Sequence, residues 1–104
     1  MNDWQQVGAE SLRVRQRMLM ETGDGTVKLL QMDADGYSPL HQHPDRYEWI
    51  YVLEGRLETE ADGVVQVLDP GDFREFPTQV PHRLNALVSS LALVGAIFTR
   101  GVRV

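Results

Sequence analysis

The hydrophobic pattern along the chain is typical of β-strands. Apolar and polar residues alternate through most segments, and Gly, Pro and Asp interrupt the alternation roughly every ten residues. No segment has the apolar period of a helix of useful length. The pattern predicts about eight to ten strands. The clearest of these span residues 12–20, 27–32, 47–53, 57–60, 64–68, 73–76, 82–88 and 91–98.

These strands are expected to close on themselves. A chain of 104 residues forms one domain with a modest core. A long open sheet would leave unpaired strand edges, so closure into a barrel or a double-sheet jelly roll is favoured. The segments 35–40 and 78–81 are expected to be loops that lead into His41 and His82. We therefore predict a single all-β domain over residues 1–104.

Charge and composition narrow the class of partner. The net charge of −5 disfavours binding to nucleic acid or to an anionic membrane. There is no cysteine, which excludes disulfides, thiolate ligands and a cysteine nucleophile. The first six residues lack the features of a secretion signal, and the longest apolar run, residues 91–98, is too short to span a bilayer as a helix. The expectation is a soluble cytoplasmic protein that binds a small molecule.

Four side chains carry the candidate chemistry. His41 and His43 are two residues apart, so both point to one face of an extended strand. Glu48 shares its strand face with apolar residues, where a carboxylate is costly to bury unless a cation compensates its charge. His82 begins a later strand that would face the same space. Imidazoles with one carboxylate suit Fe, Mn, Ni, Cu, Co or Zn rather than Ca or Mg.

These residues alone leave a simpler interpretation open. A His-x-His pair arises by chance, and residues 44–46 have the composition of a polar loop. Two surface histidines in such a loop need no function. Glu48, taken alone, is more often a solvated charge on a strand than a ligand.

The frame around these residues resembles the cupin family. The first cupin motif corresponds to residues 36–55, with Gly36, His41-Gln42-His43, Glu48 and Gly55, and the second to residues 71–85, with Gly71-Asp72, Pro77 and Pro81-His82. The span from the start of the first motif to the end of the second, residues 36–85, covers 50 of the 104 residues. Three departures stand out. Only four residues separate Gly36 from His41, Gln79 replaces the usual glycine, and Asn85 comes one residue early.

The resemblance implies a double-stranded β-helix, the cupin jelly-roll barrel. It implies one divalent transition metal ion, its identity open, held by His41, His43, Glu48 and His82. Cupins include enzymes, binding modules and sensors, so the fold does not choose among them. Three histidines and a glutamate leave one or two positions open on an octahedral ion. The leading hypothesis is a metal-dependent dioxygenase or isomerase acting on a small oxygen-rich molecule. The alternative is a non-catalytic ligand-binding or metal-sensing module.

The sequence assigns no catalytic residue beyond the four ligands. The inner wall is expected to be mostly apolar, with few acid–base groups besides the ligands. The predicted lining residues are Ile50, Val52, Leu84 and a phenylalanine of the strand 73–76, for which we take Phe73.

Other features are expected to be structural. The strand face opposite Glu48 carries Tyr47, Trp49 and Tyr51. We predict a homodimer that covers either this aromatic face or the N-terminal strand. The residues Met18, Met20 and Met32 are expected to fill the core. A solvated strand face is expected from Arg13, Arg15 and Arg17, because they alternate with uncharged residues.

Overall fold

The computed structural model describes residues 3–99. It contains one short 3₁₀ helix, Glu10–Leu12, and ten strands within these residues. The strands are β1 (Gln5–Gln6), β2 (Val14–Thr22), β3 (Gly25–Met32), β4 (Tyr37–His41), β5 (Arg46–Glu54), β6 (Leu57–Ala61), β7 (Val64–Leu68), β8 (Phe73–Phe76), β9 (His82–Ala86) and β10 (Ser90–Phe98). No helix in this part of the chain is long and apolar enough to cross a membrane.

The strands form two sheets that enclose the core. The six-stranded sheet has the order β1-β2-β3-β10-β5-β8, and the four-stranded sheet has the order β4-β9-β6-β7. Every strand pairing among the described residues is antiparallel. The prediction of an all-β fold is therefore confirmed. The β6–β7 hairpin turns at Asp62 and Gly63, which have φ values of 51° and 78°, as the Asp-Gly pair predicts.

The segment before His41 is a strand rather than the expected loop. β4 is an edge strand that pairs only with β9 within residues 3–99, so Pro39 removes no hydrogen bond from a central ladder. The register shifts between Ser38 and His41, and this shift places His41 directly opposite His82. This register shift, which the sequence did not predict, therefore aligns two of the candidate ligands.

The outer part of β2 departs from the expected packing. Of the three methionines assigned to the core, only Met32 is buried, whereas Met18 and Met20 are 43% and 55% exposed. The reason is that β2 is exposed on both faces from Arg17 onward, so no opposing strand of the described chain covers it. Arg13 ends the 3₁₀ helix with a φ of 58° and does not belong to the strand. The expected arginine face is thus shorter than predicted.

Burial changes along the barrel from one end to the other. At one end lie fully or nearly fully buried apolar side chains that include Val52, Leu57, Leu68 and Ala86. We call this the closed end. At the other end the same strands carry Glu48 on β5 and His82 on β9, and we call this the site end.

Candidate metal centre

Four elements bring the candidate ligands together at the site end. His41 is the last residue of β4, His43 follows it in the loop, Glu48 lies on β5 and His82 begins β9. One potential ligand atom from each of the four lies within 4.8 Å of every other. We call this group the histidine–glutamate cluster. Both sheets contribute to it, because β5 belongs to the larger sheet while β4 and β9 belong to the smaller one.

Glu48 lies between two of the histidines. Its Oε1 is 3.1 Å from Nε2 of His43 and 3.4 Å from Nε2 of His82. Glu48 and His82 are buried, with 8% and 4% of their surfaces exposed. Both Nε2 atoms therefore point at the carboxylate from inside the barrel.

Backbone carbonyls fix the ring orientation of two histidines. Nδ1 of His41 donates a hydrogen bond to the Pro39 carbonyl at 2.7 Å, and Nδ1 of His82 donates one to the Val80 carbonyl at 3.0 Å. A carbonyl oxygen only accepts, so in the neutral rings the proton lies on Nδ1 and the lone pair on Nε2. This is the arrangement found around metal-binding histidines, where the second nitrogen is held by an outer hydrogen bond.

The electrostatics lower the pKa of both Glu48 and His43. Burial alone would raise the pKa of Glu48, but the hydrogen bond with His82 and the charges of His43, His82 and Lys28 outweigh it, so the net shift is downward. Burial lowers the pKa of His43 more than the Glu48 carboxylate raises it. A carboxylate with neutral imidazoles is the protonation state that a metal ion requires.

The geometry of the cluster fits a single ion. Two ligands on opposite sides of an ion at about 2.1 Å are about 4.2 Å apart, whereas the widest separation here is 4.8 Å. The four atoms are therefore clustered on nearly the scale of one coordination sphere. The donor set of three imidazoles and one carboxylate suits a divalent transition metal.

Two neighbouring groups hold the ligands in place. The Phe76 ring stacks on His82 with centroids 4.6 Å apart and an interplanar angle of 17°. The Gln79 N–H donates a hydrogen bond of 2.8 Å to the His43 carbonyl. Gln79 has a φ of 66°, so it adopts the left-handed conformation that favours the glycine usual in the family. The loop keeps this geometry despite the departure in sequence.

A central cavity of about 390 Å³ adjoins the cluster. Its volume falls within the range of about 300–1,000 Å³ that is usual for small-molecule sites. Ile50 and Leu84 line it, as predicted, and so does Phe76. A larger cleft of about 490 Å³ is lined by charged and polar residues such as Arg15 and Asp33, which pair with each other at 3.0 Å. That cleft contains none of the candidate ligands.

Two predicted lining residues lie elsewhere. Phe73 is 49% exposed and packs near Trp49 on the outer face, with ring centroids 5.9 Å apart. Its register explains this position, because Phe73 is opposite the outward-facing Tyr51, whereas Phe76 is opposite Glu48. Val52 is completely buried at the closed end and does not line the cavity.

Sequence reasoning missed two cations in the cavity wall, Lys28 and Arg46. Nε of Arg46 donates to Asp45 at 3.2 Å, and its guanidinium lies 5.4 Å from the centre of the Phe98 ring. Burial lowers the pKa of Lys28; the Glu48 carboxylate opposes this shift and Arg46 adds to it. One available signal was that Lys28 alternates with Leu30 and Met32, which places the three on one strand face.

The fold and the site together define a small all-β barrel with a candidate metal centre at one end. A sequence model of the cupin domain family, Cupin_2, matches residues 28–94. The chain therefore belongs to the cupin family, and the resemblance drawn from its two motifs is confirmed.

Solved structures agree with this assignment. The chain is similar to an RmlC-like cupin from Shewanella frigidimarina NCIMB 400, with a TM-score of 0.84 and 21% identity, over 94% of this chain and 85% of that one. It is also similar to KdgF from Halomonas sp., with a TM-score of 0.84 and 25% identity, over 95% of this chain and 87% of that one.

One curated relative matches a shorter stretch. Quercetin 2,3-dioxygenase from Bacillus subtilis (strain 168) is 46% identical over 44 residues, which is 42% of this chain and 13% of that enzyme. The chain therefore corresponds to a small part of the enzyme's length.

Proposed function

We propose that the histidine–glutamate cluster binds one divalent transition metal ion, either Fe, Mn, Ni, Cu, Co or Zn. The observation that carries this proposal is the convergence of all four ligand atoms within 4.8 Å. The Nδ1 hydrogen bonds of His41 and His82 support it, because they leave Nε2 free to face an ion. Membership of the cupin family agrees with it.

We further propose that the protein is a metal-dependent enzyme acting on a small oxygen-rich molecule, as a dioxygenase or an isomerase. The central cavity supports this, because it gives a ligand room beside the cluster. Such an ion supplies Lewis-acid activation of an oxygen-bearing substrate when bound. The similarity to a stretch of quercetin 2,3-dioxygenase favours the dioxygenase.

The chain's own residues would orient the substrate and exclude water. Ile50, Leu84 and Phe76 form an apolar wall next to the cluster. Such a wall strengthens electrostatic interactions at the site because it keeps bulk water out.

The experiment that tests metal binding replaces Glu48 by Gln. The substitution Glu48→Gln keeps the size of the side chain and removes its charge. Wild type and Glu48→Gln are melted with and without Mn(II), Fe(II) or Zn(II). At an ion concentration of about 100 times the Kd, mass action stabilises wild type by about 2.7 kcal/mol, or about 10 °C. The mutant should lose most of this rise. The control is Glu54→Gln, the same change at an exposed position of β5.

The outcomes separate a ligand from a structural carboxylate. Equal metal-dependent rises in wild type and Glu48→Gln would overturn the four-ligand assignment. If Glu48→Gln melts at a higher temperature than wild type in the absence of metal, the buried charge of Glu48 is not sufficiently compensated by its neighbours. Metal analysis of protein purified without chelators, followed by oxygen-uptake assays with small diketones and catechols, then tests for a dioxygenase. Metal binding without turnover would favour the ligand-binding or sensing module.

We also propose that the protein forms a homodimer through the outer face of β5 and β8. Trp49 packs on Gly95 so closely that a Cβ added to Gly95 would lie 2.0 Å from the indole. The neighbouring side chains of Tyr51 and Phe73 are not covered in this way and remain 38% and 49% exposed. A second copy would cover this aromatic surface. Sedimentation should give a dimer at micromolar concentration, and Phe73→Glu should shift it to monomer. A wild-type monomer would contradict the proposal.

A further inference from the structure

Lys28 stands apart from the other residues of the central cavity. It is the only lysine in the chain. It lies on the inner face of β3 beside the buried Leu30, and it lines the same cavity as the histidine–glutamate cluster. The strand face that carries the buried Leu30 and Met32 thus also places a single long cation inside the barrel.

The charge of Lys28 has no direct partner in the part of the chain that the structure describes. Its ammonium forms no hydrogen bond or ion pair with residues 3–99. Arg46, the other cation in the wall, is paired with Asp45 and lies over an aromatic ring. Among the described lining residues, Glu48 is the only acid. An enclosed charge without a partner is unfavourable, so Lys28 requires an explanation.

The strand register places Lys28 two strands away from Glu48 on the same sheet. Lys28 on β3 pairs with Val94 on β10, and Val94 pairs in turn with Ile50 on β5. Glu48 is two residues away from Ile50 along β5. With strands about 4.8 Å apart and residues about 3.4 Å apart along a strand, the two Cα atoms are separated by about 12 Å. Because both line the cavity, one small molecule there can contact Lys28 and the cluster at the same time.

The balance of charge depends on whether the metal is present, so this inference rests on the proposed function. Without an ion, the charges of Lys28 and Glu48 are equal and opposite. A divalent ion more than neutralises Glu48, and Lys28 then has no counter-charge in the cavity. The pair of Arg46 and Asp45 adds no net charge. The loaded cavity would carry a net charge of about +2 in an apolar enclosure, which favours a negatively charged ligand.

We propose that Lys28 is a specificity-determining residue that binds a carboxylate of the substrate, while a second oxygen group of the same molecule lies at the metal. The substrate class is thus a small carboxylic acid with a further oxygen function. A phosphate group carries up to about two charges and three acceptor oxygens. Lys28 offers only one unpaired charge, and the described lining residues lie on strands, loops and a single-turn 3₁₀ helix. A carboxylate matches that single charge better.

The experiment uses zinc-loaded protein and defined probes. Malonate, succinate and glutarate are titrated by calorimetry into wild type, Lys28→Met and Lys28→Arg, and the monoamide of each acid is titrated as a neutral-ended counterpart. Methionine keeps the length and apolar bulk of lysine without its charge. The control is Arg56→Met, which removes a positive charge from an exposed ion pair with Asp69. Zinc content is measured after each titration, because diacids also chelate zinc.

The expected result is a charge-dependent loss. A charge-assisted hydrogen bond is worth about 1.5–3 kcal/mol, so Lys28→Met should bind the best diacid about tenfold to a hundredfold more weakly. The monoamide should bind wild type and Lys28→Met with similar affinity. Lys28→Arg should retain most of the wild-type affinity, and Arg56→Met should retain all of it.

A second measurement reads Lys28 directly. Because it is the only lysine, protein labelled with ¹³C-lysine gives a single set of side-chain resonances. The Cε resonance should shift when the best diacid is added to the zinc-loaded wild type, and should shift much less with its monoamide. This measurement uses the wild-type protein, so it depends neither on the folding of a variant nor on catalytic turnover.

The outcomes distinguish the two proposals. Failure of wild type to bind zinc would overturn the proposed metal site. If zinc binds, equal diacid affinity in wild type and Lys28→Met, or no diacid binding by wild type, would overturn the role of Lys28 and leave the metal site standing. An unchanged Cε resonance at saturating diacid would overturn it as well.

Discussion

The two ends of the barrel are built from the same strands but differ in character. At the closed end β5 contributes Val52 and β9 contributes Ala86, and both side chains are completely buried. At the site end the same strands contribute Glu48 and His82 next to a cavity. Four residues of extended chain separate the two environments on each strand, a distance of about 13 Å.

The difference indicates how a small domain supports an unfavourable polar site. Packed apolar side chains at the closed end stabilise the pairing of the strands. That pairing sets the register, and the register places polar groups at the other end where their burial is costly. Stability and chemistry therefore depend on different residues of the same strands. The following substitutions test this separation, from the largest expected effect to the smallest.

Replacing a fully packed leucine and a leucine that lines the cavity should have unequal effects on stability. Leu68→Ala removes a completely buried side chain at the closed end and should lower the free energy of unfolding by about 3 kcal/mol. Leu30→Ala removes a side chain that already faces the cavity, so the loss should be about half of that. Urea unfolding at constant slope measures both. Zinc should stabilise Leu68→Ala by the same increment as wild type. An equal or larger loss of stability in Leu30→Ala would contradict the distinction between packed and cavity-lining positions.

Removing the aromatic ring that stacks on His82 should lower the affinity for metal more than it lowers the stability of the fold. Phe76→Leu removes the stacked ring, and a loss of support around a metal-binding histidine lowers metal affinity by about tenfold. The loss of stability should stay below about 1.5 kcal/mol because the substitution remains apolar. The matched control is Phe73→Leu on the outer face of the same strand. Zinc titration should show an unchanged zinc affinity in that control. Equal losses of zinc affinity in Phe76→Leu and Phe73→Leu would refute a role for the stacking.

The smallest effect is expected in the loop beside His43. Gln79→Gly relieves the left-handed backbone conformation at a φ of 66°. Relief of about 1 kcal/mol is partly offset by the entropy of glycine in the unfolded chain, so the gain in stability should be about 0.5 kcal/mol. Gln79→Ala keeps the unfavourable conformation and should bring no gain. Thermal melting measures both variants, and a loss in Gln79→Gly would mean that the glutamine side chain itself stabilises the loop.

Much of the fold could be read from the alternation of residues. The segments 64–68 and 73–76 were predicted with the boundaries that β7 and β8 have, because each lies between clear turn residues. β4 was predicted as a loop, since Pro39 argues against a strand unless that strand lies at an edge. Met18 and Met20 were assigned to the core because their residue type is apolar, although no strand of the described chain covers that part of β2. Edge position and coverage depend on pairing between distant segments.

The sequence by itself determined most of the strands, the family and the four residues that form the histidine–glutamate cluster, because these depend on local alternation and on spacing within two motifs. Only the tertiary structure decided which side chains share the cavity. Phe73 and Phe76 lie on opposite faces of β8, and the register with β5 turns Phe76 inward. Lys28 reaches the cavity because β10 lies between β3 and β5 in the sheet. Strand order and register arise from contacts between residues far apart in the chain, and local patterns carry no information about them.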